Sequence, residues 1–200
     1  MVFITRFCKK INILLGVLLL FFTAGIAQAE DIGIVHAKGA VDVQGRMFVS
    51  TRFNVRLPSQ LSSALQQGVS LNFRLAFSLD APTYTAYKTK VSGWFSDQGI
   101  VTYKLSYHPL TKKYRVSIGS LAVEDYPTLS QALNRIGGIA DWNVLPVGTL
   151  KGVAVRDIQG SVRLSLTMDD LPKPFQIDGL TARKWDMDTS WVRLAISRRK

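Results

Sequence analysis

Cysteine is almost absent from the 200 residues, Cys8 being the only one. A single thiol closes no disulfide within the chain. Cys8 also precedes the apolar run 13–26, whereas a lipid-carrying cysteine would follow that run. Histidine is nearly as scarce. His36 and His108 stand 72 positions apart, and neither has a carboxylate at a metal-ligand spacing. A zinc site takes three or four ligands, and beyond residue 29 the chain offers two imidazoles, no thiolate and two glutamates. There is no Gly-x-Ser-x-Gly elbow, so serine catalysis has no local support. No Pro-, Gly- or Ser-rich linker divides the chain after its first 29 residues, and one domain over 30–200 is expected. These absences leave no cofactor, no metal and no catalytic motif to build on, and a non-enzyme is expected.

The one long apolar stretch lies at the N-terminus. Arg6, Lys9 and Lys10 form a positive segment with no acidic residue before Glu30, and Ile13 to Ile26 gives 14 nearly unbroken apolar positions. Ala27-Gln28-Ala29 then supplies the small-x-small pattern that signal peptidase accepts, with Glu30 as the first residue after cleavage. A spanning helix needs about 20 apolar residues, and this run is shorter. Residues 1–29 are therefore expected to be a cleaved export signal and the protein periplasmic. The alternative is an inner-membrane anchor left uncleaved.

Export changes the meaning of the charge. The chain carries +11, and loss of the signal leaves 22 basic residues against 14 acidic. Inside a cell such an excess would point to nucleic acid. Outside it, nucleic acid is not expected, and anionic lipid headgroups, lipopolysaccharide, cell-wall polymers or an acidic protein face become the natural counterparts.

Period-two alternation dominates the rest. Val69, Leu71, Phe73, Leu75, Phe77 and Leu79 alternate with polar residues that include Asn72, Arg74 and Ser78. Met47 to Leu57, Val101 to Tyr107 and Val162 to Met168 repeat the rhythm, so each run has one face in a core and one in water. Further strands are expected at 32–37, 84–95, 114–121, 152–155 and 191–197. The segment His108-Pro109-Leu110-Thr111-Lys112 reads as a hairpin loop. The apolar parity changes across 157–160, where a bulge or tight turn is expected. The last residues, Arg198-Arg199-Lys200, read as a frayed basic tail.

Two short helices interrupt the strands. The first runs from Pro58 to Gln67, with Leu61, Ala64 and Leu65 at helical spacing and Gly68 at the exit. The second runs from Thr128 to Ile136, where Thr128 and Gln131 fit a capping box and Gly137-Gly138 ends the helix. Both carry Leu-Ser-x-Ala-Leu, at 61–65 and 129–133, which hints at a duplicated strand–helix–strand unit. The expected fold is mainly β: an antiparallel β-sandwich-like domain of about eight strands with two short helices.

Chemistry-bearing residues are few. Asp169-Asp170 and Asp186-Met187-Asp188 are the closest carboxylates. Paired carboxylates serve glycoside hydrolysis, but polar turns at strand ends are the stronger expectation here. Trp94, Trp142, Trp185 and Trp191 offer stacking or anchoring surface. Trp94 stands out because Val91 and Phe95 have the opposite parity, which turns its ring away from the core. Exposure and charge select Lys88, Lys90, Trp94, His108, Lys112 and Lys113 as the expected interaction surface.

The order of features then matches a known pattern. It comprises helix 61–67 with Gly68-Val69, the run Leu105-Ser106-Tyr107-His108-Pro109-Leu110-Thr111 with Tyr114, and Thr128-Leu129 through Leu133 with Trp142. Asp170-Leu171-Pro172-Lys173-Pro174-Phe175 and Trp185 with Ser190-Trp191 complete it. Together they resemble the proteobacterial domain-of-unknown-function family 4390. The resemblance implies a signal-bearing envelope protein of one domain, with no catalytic residues to carry over. It also implies a signalling accessory role, because such proteins are often encoded near nitrogen-regulation-type sensor kinases. This chain departs from the pattern at 84–95, where Lys88 and Lys90 stand in place of an aromatic- and arginine-rich strand. The expected function is a non-catalytic binding or accessory module for an envelope partner, such as a sensor kinase's periplasmic domain. An envelope-assembly or lipid-contacting protein on an anionic surface is the alternative, and a carbohydrate hydrolase using aspartates the third reading.

Overall fold

The computed structural model describes residues 32–80, 99–120, 122–167 and 187–199. The expected signal with Ala27, Ala29 and Glu30, the strand expected at 84–95, and Lys88, Lys90, Trp94, Trp185, Asp169, Asp170 and Asp186 lie outside them.

The described elements run β1 (Ile32–Val41), β2 (Met47–Val55), α1 (Ser59–Gln66), β3 (Leu71–Asp80), β4 (Ile100–His108), β5 (Lys113–Ile118) and β6 (Ala122–Tyr126). There follow α2 (Leu129–Ile136), β7 (Gly138–Asn143), β8 (Gln159–Thr167), β9 (Val192–Arg193) and β10 (Ala195–Arg198). The strands form two sheets, of order β10-β1-β2-β7 and β6-β5-β4-β3-β8-β9. The fold is thus mainly β and sandwich-like, with ten strands and two α-helices among the described residues.

Alternation makes the core. Met47, Val49, Phe53 and Val55 of the first sheet, and Leu71, Phe73, Leu75, Tyr103, Leu105, Val116, Val162, Leu164 and Leu166 of the second, are buried in one cluster. Each such side chain contributes about 1.5–3 kcal/mol relative to its exposed state. Two polar groups join them at a cost. The hydroxyls of Thr51 and Tyr103 are buried and have no hydrogen-bond partner among the described residues.

Both helices cross between the sheets. The first leads from β2 to β3, and the second from β6 back to β7. The two Leu-Ser-x-Ala-Leu segments therefore share one task, burying Leu61, Ala64 and Leu65 in α1 and Ala132, Leu133 and Ile136 in α2. At the start of α2, Thr128 Oγ1 accepts the Gln131 N–H at 3.3 Å as a capping box requires. The Gln131 side chain, however, accepts from the Thr128 hydroxyl at 3.0 Å instead of reaching back to its backbone.

Gly137 ends α2 with φ −71°, so left-handed backbone is not its purpose. A Cβ there would lie 2.3 Å from the Phe53 carbonyl oxygen, and the Gly137 carbonyl accepts the Phe53 N–H at 2.7 Å. The glycine lets the helix end touch the backbone of β2.

Three expectations need correction. Residues 152–155 form no strand. Gly152 has φ +79°, and a turn leads into a 3-10 segment, Val155–Asp157, which accounts for the parity change ahead of β8. The stretch 191–197 is not one strand. β9 pairs with β8, the Leu194 N–H then bonds the Gly160 carbonyl at 2.9 Å, and β10 joins β1 in parallel, the one departure from antiparallel pairing among the described strands. Nor is the tail free at Arg198 and Arg199. Arg198 belongs to β10, the Arg199 N–H bonds the Val41 carbonyl at 2.9 Å, and the Arg199 guanidinium lies 4.5 Å from the Phe48 ring centroid.

Candidate functional site

Register fixes what the outer face of the six-stranded sheet presents. Opposite residues on antiparallel strands point the same way, so the rows read directly. One row runs Thr167, Asn72, Lys104, Ser117, Val123; the next runs Ser165, Arg74, Thr102. Arg163 stands beside Ala76, Arg193 beside Ser161, Arg115 between Ser106 and Asp125, and His108 beside Lys113. Among the described side chains this face carries six Lys or Arg residues (Arg74, Lys104, Lys113, Arg115, Arg163 and Arg193) against Asp125 and Asp188.

Both of those carboxylates are occupied. Arg115 grips Asp125 with two hydrogen bonds, of 2.8 and 3.1 Å. That hydrogen-bonded guanidinium, with Lys113 and His108 nearby, holds the Asp125 carboxyl below its ordinary value and raises Arg115 in turn. Arg163 holds Asp188 through Nε at 2.7 Å and a second contact from Nη2, and the Ser190 N–H adds a third at 2.9 Å. Asp188 is therefore a structural ion-pair partner. Exposed pairs of this kind are screened by solvent and add little to stability. Arg74 and Lys104 differ: both are exposed, and their side chains make no hydrogen bond or ion pair with the described residues. Hydroxyl and amide side chains surround them in register, so the face offers cations and neutral hydrogen-bonding groups together.

Three of the expected interaction residues fall on or next to this face. The β4–β5 turn covers Pro109 to Lys112, with Lys112 at φ +52° and His108 paired with Lys113 at its base. Leu110, at its tip, is 99 % exposed. Tyr107 and Tyr114 pack together beneath on the core side, with ring centroids 4.9 Å apart and the rings tilted by 45°. Lys88, Lys90 and Trp94 lie outside the described residues, so only His108, Lys112 and Lys113 can be placed. Arg74, Lys104 and Arg115 were not singled out in the sequence, although alternation already put Arg74 and Lys104 on the water side. Trp142 packs against the core, whereas Trp191 is exposed.

Among the described residues no three His, Cys, Asp or Glu side chains group as metal ligands. No described helix is long and apolar enough to cross a membrane. No curated protein and no solved structure matches the chain. The model of one family, a domain of unknown function (DUF4390), matches residues 30–195, and the chain belongs to that family.

Proposed function

We propose, for this member of a family without assigned chemistry, a non-catalytic binding module that works in the cell envelope after export. It holds an anionic partner against the outer face of its six-stranded sheet. The observation that carries this reading is that Arg74 and Lys104 are exposed and make no ion pair with the described residues, set among Asn72, Thr102, Ser117 and Ser165. A cation with no carboxylate beside it is free to meet one from outside, and long-range attraction speeds that encounter. The partner class favoured here is an acidic protein face, such as the extracytoplasmic domain of a sensor kinase.

The test is capture from envelope extracts after in vivo crosslinking, with the double reversal Arg74→Glu/Lys104→Glu as comparison. One stoichiometric protein lost in the variant supports the reading. Equal recovery by wild type and variant sinks it.

A second reading rests on Leu110, fully exposed between His108 and Lys112-Lys113. An apolar tip flanked by cations suits an anionic membrane surface, where each basic residue adds about 1 kcal/mol. Salt-sensitive sedimentation with phosphatidylglycerol vesicles, abolished by Leu110→Asp, would favour it over a protein partner. The carbohydrate-hydrolase reading loses one of its candidate groups, because Asp188 is committed to Arg163.

A further inference from the structure

A second cationic site lies away from that face, in an open groove of about 710 Å³ between α2 and the strands β1, β2 and β7. The volume is that of a small-molecule site. Its walls include His36, Arg52, Gln131, Asn134, Arg135 and Ile139. His36 and Arg52 are direct neighbours in the β1–β2 register, beside the bulge between Ile34 and His36.

The two arginines have different states. Arg135 is committed, donating to Glu124 at 3.0 and 3.3 Å and to the Gly138 carbonyl at 3.3 Å, while the Tyr126 hydroxyl donates to the same carboxylate. Arg52 makes one neutral contact, from Nη1 to the Asn134 carbonyl at 3.0 Å, and no ion pair with the described residues. Its guanidinium lies against Gly138, where an added Cβ would stand 2.8 Å from Nη1 and 3.0 Å from Cζ. Arg52 is thus tethered at one nitrogen, and its other N–H groups have no partner among the described residues. No carboxylate is among the groove's described lining residues; of those nearby, Glu124 is paired with Arg135 and Asp141 with Arg199.

We infer that this groove binds the oxyanion, carboxylate or phosphate, of a small ligand, with Arg52 as the charged anchor and His36 and Gln131 as flanking polar contacts. A guanidinium offers paired N–H groups that match either oxyanion. The site is independent of the basic sheet face.

Titration with inorganic phosphate, and separately with citrate, followed by NMR of the Arg52 Nε–H and His36 ring signals, tests it. Saturable shifts at both residues are expected. Arg52→Gln should weaken binding by about tenfold or more. Gly138→Ala keeps the charge but displaces the guanidinium, and should weaken binding as well. Arg74→Glu/Lys104→Glu should leave it unchanged, which separates this site from the sheet-face reading. The tighter of the two probes identifies the oxyanion class. Absence of saturable shifts at Arg52 and His36, or equal affinity in folded Arg52→Gln, would overturn the inference.

Discussion

Replacing Gly137 with alanine adds one methyl group where there is no room for it. The new Cβ would stand 2.3 Å from the Phe53 carbonyl oxygen, which is backbone in the middle of the first sheet and cannot rotate away. Ordinary contact at about 3.5 Å requires the end of α2 to retreat by more than 1 Å. That retreat stretches the 2.7 Å hydrogen bond from the Phe53 N–H to the Gly137 carbonyl, both in a buried setting. Overpacking costs about 1–3 kcal/mol and a buried polar group left unpaired another ~1–3 kcal/mol. The two overlap, so a loss of about 3 kcal/mol is expected, or roughly 6–12 °C in Tm for a domain of this size. Gly138→Ala is the internal control. Its Cβ meets the far end of the Arg52 side chain at 2.8 Å, which can swing aside, so a loss below about 1 kcal/mol is expected. Thermal and urea unfolding of the two variants decide the matter. A Gly137→Ala protein within a degree of wild type, or no more affected than Gly138→Ala, would refute the close-approach argument.

Two other perturbations follow from buried or paired groups. Tyr103→Phe removes a hydroxyl without a partner among the described residues, so stability should rise by about 1 kcal/mol in urea titrations, and a fall would reveal a partner. Glu124 is held below its ordinary value by the Tyr126 hydroxyl and then by Arg135, and Asp125 by Arg115. A depressed folded pKa means the stabilisation is complete above the unfolded values, about 4.3 and 3.9, and is lost as pH falls through the folded ones. Stability should therefore decline below about pH 4, and Glu124→Gln should flatten that decline. An unchanged acid limb in the variant would contradict the assignment.

Much of the sandwich was legible because alternation over eight or more residues has few alternatives. The runs through Phe53, Phe73, Leu105 and Leu164 give both the strands and their buried faces, and both helices showed in three or four apolar positions plus Thr128. Short strands were not legible. β6 and β7 are five and six residues long, and Asp141 at φ +50° breaks the rhythm of β7. β9 and β10 were expected as one strand because nothing local to Leu194 announces a change of sheet. That change depends on Gly160, 34 positions away. Gly137 was legible as a helix end but not for its reason, since its constraint is the Phe53 backbone.

The candidate site divides along the same line. Residues near one turn, His108, Lys112 and Lys113, could be grouped from sequence. The parity that exposes Arg74 and Lys104 was also visible. What was not visible is that Arg115 and Arg163 have their own carboxylates while Arg74 and Lys104 have none among the described residues, because those pairs depend on strand register and on contacts across 10 and 25 positions. Arg52 and His36 needed the β1–β2 register for the same reason.

The most direct test of the basic face as the interaction surface is site-specific photocrosslinking in cells. A photoreactive residue at Thr102 or Ser165 lies on that face, and one at Ser50 on the outer face of the four-stranded sheet. The account predicts one discrete crosslinked species from 102 and 165, absent from 50 and lost in Arg74→Glu/Lys104→Glu. Crosslinks from 50 alone, or products from 102 and 165 that survive the charge reversal, would contradict it.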